Sequence, residues 1–75
     1  MSRVIKRSIV ISGHATSISL EEEFWRQLKR LAEEDGISLA ELVARVDAAR
    51  KPGEGGLSGT LRVFALTRAL NRSLP

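Results

Sequence analysis

Any chemistry in this chain would begin in residues 13–28, GHATSISLEEEFWRQL, where His14, Thr16, Ser17 and Ser19 crowd in front of an amphipathic run. A hydroxyl nucleophile needs an adjacent base, and the base needs an orienting group. His14 and Ser17 are three residues apart in a segment that reads as extended, so their side chains point to opposite faces. No triad follows, and the chain is read as a non-enzyme. With one histidine and no cysteine, only carboxylates remain as further metal ligands, so neither a metal nor another cofactor is expected. The stretch PGEGGLSG (52–59) is rich in glycine but lacks the lysine of a phosphate-binding loop. Its glycines read as spacers.

Nucleic-acid contact is the remaining chemistry. Arg3, Lys6 and Arg7 stand in residues 1–14 without an acid among them. Net charge runs +3 over residues 1–14, −3 over 15–50 and +3 over 51–75. Two basic ends around an acidic middle suit a polyanionic partner. The hydrophobic fraction of 43% is that of a globular chain. Yet 75 residues bury a modest share of their unfolded surface, and no disulfide can supplement the core. Self-association is the expected supplement. No run approaches the roughly 20 apolar residues of a membrane span, and only IVI follows the basic start before Ser12 and Gly13. A cytoplasmic location, with no membrane contact, is expected.

These residues must be positioned by a few short elements. SIVIS and TSISL alternate at period two around Ile9, Ile11, Ile18 and Leu20, as strands do. Between them, Ser12-Gly13-His14-Ala15 fits a type II′ turn with Gly13 at its first central position. In that register Ile9 faces Ile18 and Ile11 faces Thr16. An extended arm that merely bends at Gly13 is the alternative. Next, Ser19 or Leu20 precedes Glu21, Glu22 and Glu23, acids placed where a helix dipole favours them. Phe24, Leu28, Leu31 and Ala32 form one apolar stripe, which Trp25 broadens into core rather than a base-stacking platform. This helix should stop at Asp35-Gly36.

In GISLAEL, Ser38 is an N-cap, Glu41 completes a capping box, and Ile37 can staple onto Leu42. The second helix runs to about Ala49, burying Leu39, Leu42, Val43 and Val46. RKPGEGG breaks it. Ser58 is expected to cap a third helix reaching about Ser73. That helix is apolar on nearly every side, with Arg62, Arg68 and Arg72 as its solvated charges. A helix so apolar is normally covered on more than one face, and the second cover is expected from another subunit.

One strand, two helices and a Gly-x-Ser turn resemble the ribbon-helix-helix family. The resemblance lies in Ile18 and Leu20, in Phe24, Leu28 and Leu31, and in Gly36, Ser38, Leu42 and Val46. The longer pattern GHATSISLEEEFW…LKRLAEEDGISLAELV…D…LSGTLRVFAL is similar to a bacterial subfamily with an extra C-terminal helix. The resemblance implies a mainly α fold with a short β-ribbon, a ribbon-helix-helix (MetJ/Arc-like) intertwined homodimer with an additional C-terminal helix. It implies a dimer core of Ile18, Leu20, Phe24, Trp25, Leu28, Leu42, Val46, Leu61 and Phe64. It further implies a DNA-binding transcriptional regulator whose intersubunit ribbon enters the major groove of double-stranded DNA.

On that reading Ala15, Ser17 and Ser19, with His14, contact the groove, while Arg3, Lys6, Arg7, Ser38 and Leu39 contact phosphate. Serine discriminates bases poorly, so specificity would come from shape, water or the basic arm. The organisation expected is a basic arm or first hairpin strand (1–14), a ribbon-helix-helix core (15–50), a Gly-rich linker (51–56) and a C-terminal helix (57–75). The partners expected are a second copy, as a dimer or as a tetramer on DNA, and DNA itself. The other class of function is an antitoxin-like or adaptor protein-interaction module on the same dimer scaffold, with weak or no specific DNA reading, docking another protein through the C-terminal helix or a hairpin edge.

Overall fold

The computed structural model describes residues 3–51, 53 and 55–73. Two antiparallel strands, β1 (Val4–Ile11) and β2 (His14–Glu21), precede three helices, α1 (Glu22–Glu34), α2 (Leu39–Ala49) and α3 (Leu57–Ser73). Of the expected linker, Pro52 and Glu54 lie outside the described residues, as do Leu74 and Pro75 of the expected C-terminal helix and Met1 and Ser2 of the arm.

The hairpin turn corrects the expected register. Ser12 (φ 50°) and Gly13 (φ 79°) are the two central residues, so both have positive φ, as in a type I′ turn, whose twist suits the flanking strands. Gly13 is therefore the second central residue rather than the first. Ile11 pairs with His14, Ile9 with Thr16 and Arg7 with Ile18, two positions from the register expected. A slip of two keeps every side chain on its own face, so the inner set is unchanged. The ribbon assigned to two chains is built here from one, and residues 4–11 of the expected arm are its first strand.

Local signals set the helix ends. Glu22 and Glu23 occupy the first turn of α1, while the N-cap, Glu21, makes no side-chain capping bond. At the other end Gly36 N–H bonds Glu33 O (3.1 Å) and Ile37 N–H bonds Ala32 O (3.0 Å). These are the two bonds of a Schellman motif, and Gly36, at φ 70°, supplies its left-handed residue. Ser38 Oγ accepts from Glu41 N–H at 3.0 Å. The capping box is half made, because the Glu41 carboxylate accepts from Arg45 Nε (3.2 Å) instead of reaching back.

One core joins all five elements: Ile11, Ile18, Leu20, Trp25, Leu28, Leu31, Ala32, Leu42, Val43, Val46, Leu61 and Ala65 are buried. Ile9, Phe24, Ile37, Leu39, Leu57 and Phe64 pack against it. Of the residues expected to meet across a dimer, Ile18, Leu20, Trp25, Leu28, Leu42, Val46 and Leu61 are buried within a single chain, while Phe24 and Phe64 are half-buried against that core. Full burial of one such side chain contributes about 1.5–3 kcal/mol.

α3 is docked by polar bonds as well as by Leu61 and Ala65. Ser58 lies inside its first turn, and its hydroxyl is not a cap: Ser58 Oγ accepts from Ser19 N–H at 3.1 Å. Arg62 donates to Glu21 Oε1 (2.9 Å) and to Ser19 O (3.3 Å). Arg68 grips both Asp35 oxygens (3.0 and 3.2 Å), and Arg72 pairs with Glu34. The three arginines expected on the solvated side therefore each tie α3 to an acid on the hairpin, on α1 or just beyond it. No helix of the described residues is long and apolar enough to cross a membrane.

Candidate nucleic-acid interface

Strand parity sorts the hairpin into two faces. Arg7 and Ile9 point inward with Ile11, opposite Ile18 and Thr16. Lys6, Ser8 and Val10 point outward beside Ala15 and Ser17, and all five are exposed. Ser19, the last expected groove residue, shares that face but is half-buried, because α3 lies along its backbone. His14 is exposed at the hairpin tip, on the inner register opposite Ile11. His14 and Ser17 therefore stand on opposite faces, and the strand does not bring them together as base and nucleophile.

The edges of β2 follow from the same alternation. Ser19 gives both backbone groups to α3, so its N–H and C=O point away from β1. Ala15 and Ser17, four and two residues earlier, must point their backbone groups the same way. The edge that an intersubunit ribbon would use is thus occupied at Ser19 by Ser58 and Arg62.

The expected phosphate ligands fall into three environments. Arg3 and Lys6 are exposed. Arg7 turns inward instead: its NH2 donates to Glu22 Oε2 at 3.0 Å and its guanidinium carbon lies 5.0 Å from the centre of the Trp25 ring. This cation–π contact places the charge over a buried indole. Arg7 NH1 and Trp25 Nε1 are buried and have no hydrogen-bond partner among the described residues. Ser38 and Leu39 open α2. With Glu41 N–H taken by Ser38 Oγ, the amides of Leu39 and Ala40 remain at the positive end of the helix dipole.

The acids near the ribbon are neutralised. Glu22 pairs with Arg7 and with Arg26 (3.4 Å). Glu21 pairs with Arg62, and the hydrogen bond from that guanidinium holds its carboxyl below its ordinary value of 4.5. The ribbon face thus meets solvent with Lys6 as its uncompensated charge among the described residues. Sequence reasoning missed Ser58, Arg62 and Glu21 as a set, since they are up to 43 residues from their partners. Among the described residues there is no cluster of three His, Asp or Glu that could hold a metal ion.

Comparison with known proteins agrees with this architecture. Residues 4–69 match the family described as the ribbon-helix-helix domain. A solved structure of an uncharacterized protein from Bordetella pertussis Tohama I superposes with a TM-score of 0.80 at 32% identity over 96% of this chain. The chain spans 60% of that protein's length. No curated protein matches. Ribbon-helix-helix domains are non-enzymatic regulatory folds that typically dimerise and bind DNA. On a match that runs through both strands and all three helices, the chain belongs to the ribbon-helix-helix domain family.

Proposed function

We propose that this chain is a homodimeric DNA-binding protein of the bacterial transcriptional-regulator type, acting in the cytoplasm. The outer face of the β1–β2 ribbon enters the major groove, which admits a two-stranded ribbon. Ser8, Ala15 and Ser17 approach base edges there, with His14 at the tip. Arg3 and Lys6 grip phosphates, and the amides of Leu39 and Ala40 bind a further phosphate beside the Ser38 hydroxyl. The observation that carries this reading is the exposed ribbon face, whose one charged side chain without a counter-ion among the described residues is Lys6. Arg7 contributes indirectly, by neutralising Glu22 beneath the ribbon.

Salt dependence tests the reading. Each cation that displaces a counter-ion contributes about −0.9 to the slope of log K against log salt. The Arg3→Ala/Lys6→Ala variant should therefore lose roughly two units of slope per bound chain. Fluorescence anisotropy with a labelled duplex at a series of salt concentrations measures it. Absence of duplex binding at low salt, or a slope untouched by the double variant, refutes the proposal.

A further inference from the structure

Between α2 and α3 lies a cleft of about 380 Å³. Its floor is apolar. Leu42 and Val46, both buried, come from α2, while half-buried Phe64 and Val63, which is 64% exposed, come from α3. Its charged lining is lopsided, with Arg45, Arg50 and Arg68 against Asp35. The volume falls at the small end of the roughly 300–1,000 Å³ of small-molecule pockets, which combine an apolar body with a few convergent polar groups.

The three guanidinium groups are not equally committed. Arg68 places NH1 and NH2 on the two Asp35 oxygens (3.2 and 3.0 Å), and its guanidinium carbon lies 5.7 Å from the centre of the Phe64 ring. Arg50 donates NH2 to Asp47 Oδ1 (2.8 Å) and NH1 to Gly55 O (3.2 Å). Arg45 uses Nε alone, on Glu41 Oε1 (3.2 Å), and its NH1 and NH2 have no hydrogen-bond partner among the described residues. Glu41 and Asp47, the partners of Arg45 and Arg50, are not part of the lining. Arg45 is thus the rim guanidinium that can take an acceptor end-on without giving up its own acid.

We propose that the cleft binds a small monoanion with an apolar body, of the class of medium-chain or aromatic carboxylic acids. The hydrocarbon covers Val46, Val63 and Phe64, and the carboxylate accepts two parallel N–H bonds from Arg45 NH1 and NH2. Two features of the lining select this chemistry. An apolar floor beside a guanidinium with unused donors suits a molecule that carries both characters. A neutral hydrocarbon would strip water from Arg45 without replacing its hydrogen bonds, and a wholly polar anion would leave the floor wet. Asp35 sets the charge: a second negative charge on the ligand meets repulsion from it, so one carboxylate is favoured over a phosphate monoester or a dicarboxylate. No residue of the ribbon lines the cleft, so this proposal and DNA binding can each fail alone.

Decanoate is the probe, titrated below its micellar concentration into the isotope-labelled full chain at a low and a high protein concentration. Amide shifts in the NMR spectrum should saturate with a Kd of about 1 mM or below. They should cluster at Val46, Ala49, Val63 and Phe64 and spare Ser8 and Ser17 on the ribbon. Arg45→Gln should weaken binding about tenfold, and Val63→Gln should weaken it severalfold. Both side chains are largely exposed, so the variants' melting curves should match the parent's. Arg30→Gln removes the same charge from the exposed surface of α1 and should leave Kd unchanged. Decylammonium, with the same chain and the opposite charge, and acetate, with the same headgroup and no chain, should each bind at least about tenfold more weakly. Absence of saturable binding, shifts scattered over the surface, equal affinity for decylammonium, or indifference to Arg45→Gln overturns the proposal. So does an affinity that falls as protein concentration rises, the mark of a second copy filling the cleft.

Discussion

Replacing Ser58 by alanine removes one oxygen and tests how the ribbon's edge is satisfied. In the structure that oxygen accepts the Ser19 N–H at 3.1 Å, where β2 would otherwise present an open edge. An intramolecular hydrogen bond contributes about 1 kcal/mol net, and leaving a half-buried donor unpaired raises the loss to roughly 1–1.5 kcal/mol. Alanine returns up to about 0.5 kcal/mol through its higher helix propensity. The net loss is about 0.5–1 kcal/mol, against a total stability of roughly 4–11 kcal/mol for a chain of this length. At about 4–8 °C per kcal/mol, Tm should fall by about 2–8 °C. The local signature is sharper. Exchange of the Ser19 amide with deuterated water should quicken by about fivefold relative to neighbours deeper in the hairpin. Both measurements are made at a low and at a high micromolar protein concentration. If β2 instead paired with the β2 of a second chain, Ser19 protection would rise with protein concentration and ignore Ser58→Ala. That outcome refutes the docking of α3 on the ribbon edge.

Two further outcomes follow from geometry described above. Gly36→Ala meets no steric neighbour but forces a side chain into φ 70°, which costs about 1–2 kcal/mol; thermal melting should show a fall of about 4–16 °C, whereas Gly55→Ala, at ordinary φ, should change Tm little. Glu21 and Asp35 are held below their ordinary values of 4.5 and 3.8 by hydrogen bonds from Arg62 and Arg68. Between the lowered folded value and the ordinary unfolded one, the folded chain binds fewer protons. The stability they contribute is therefore complete above the ordinary carboxylate range and is lost as pH falls through the folded values. Urea titrations from pH 7 to pH 3 should show this decline, and Glu21→Gln/Asp35→Asn should flatten it. An unchanged acid slope in the double variant contradicts the assignment.

Much of the fold is written locally. The alternation in SIVIS and TSISL, the stripe from Phe24 to Ala32, the Asp35-Gly36 stop and the Ser38 cap each depend on nearby residues, and each is legible in the chain. The turn is harder to place to the residue, because glycine advertises positive φ and nothing in the sequence marks Ser12 as adopting it too. Arg7 shows a different limit. Parity puts it on the face of Ile9 and Ile11, yet its charge argues for solvent. Only the folded chain, with Glu22 and Trp25 beneath it, resolves that conflict.

The C-terminal helix marks the boundary between the two kinds of information. Composition and spacing are enough to establish that residues 57–73 form a helix with apolar side chains almost all round. They cannot choose its buried side, because apolar groups spread over the whole circumference favour no direction. Tertiary structure makes the choice through groups far apart in the chain: Ser58 and Arg62 meet Ser19 and Glu21, Arg68 meets Asp35, and the buried side becomes that of Leu61 and Ala65. The same contacts tie the arginines to acids on neighbouring elements and leave Val63, Leu66 and Leu70 facing water. Helix formation is a local equilibrium set by backbone hydrogen bonds and propensity, whereas burial is decided by whichever distant surfaces the chain can bring together.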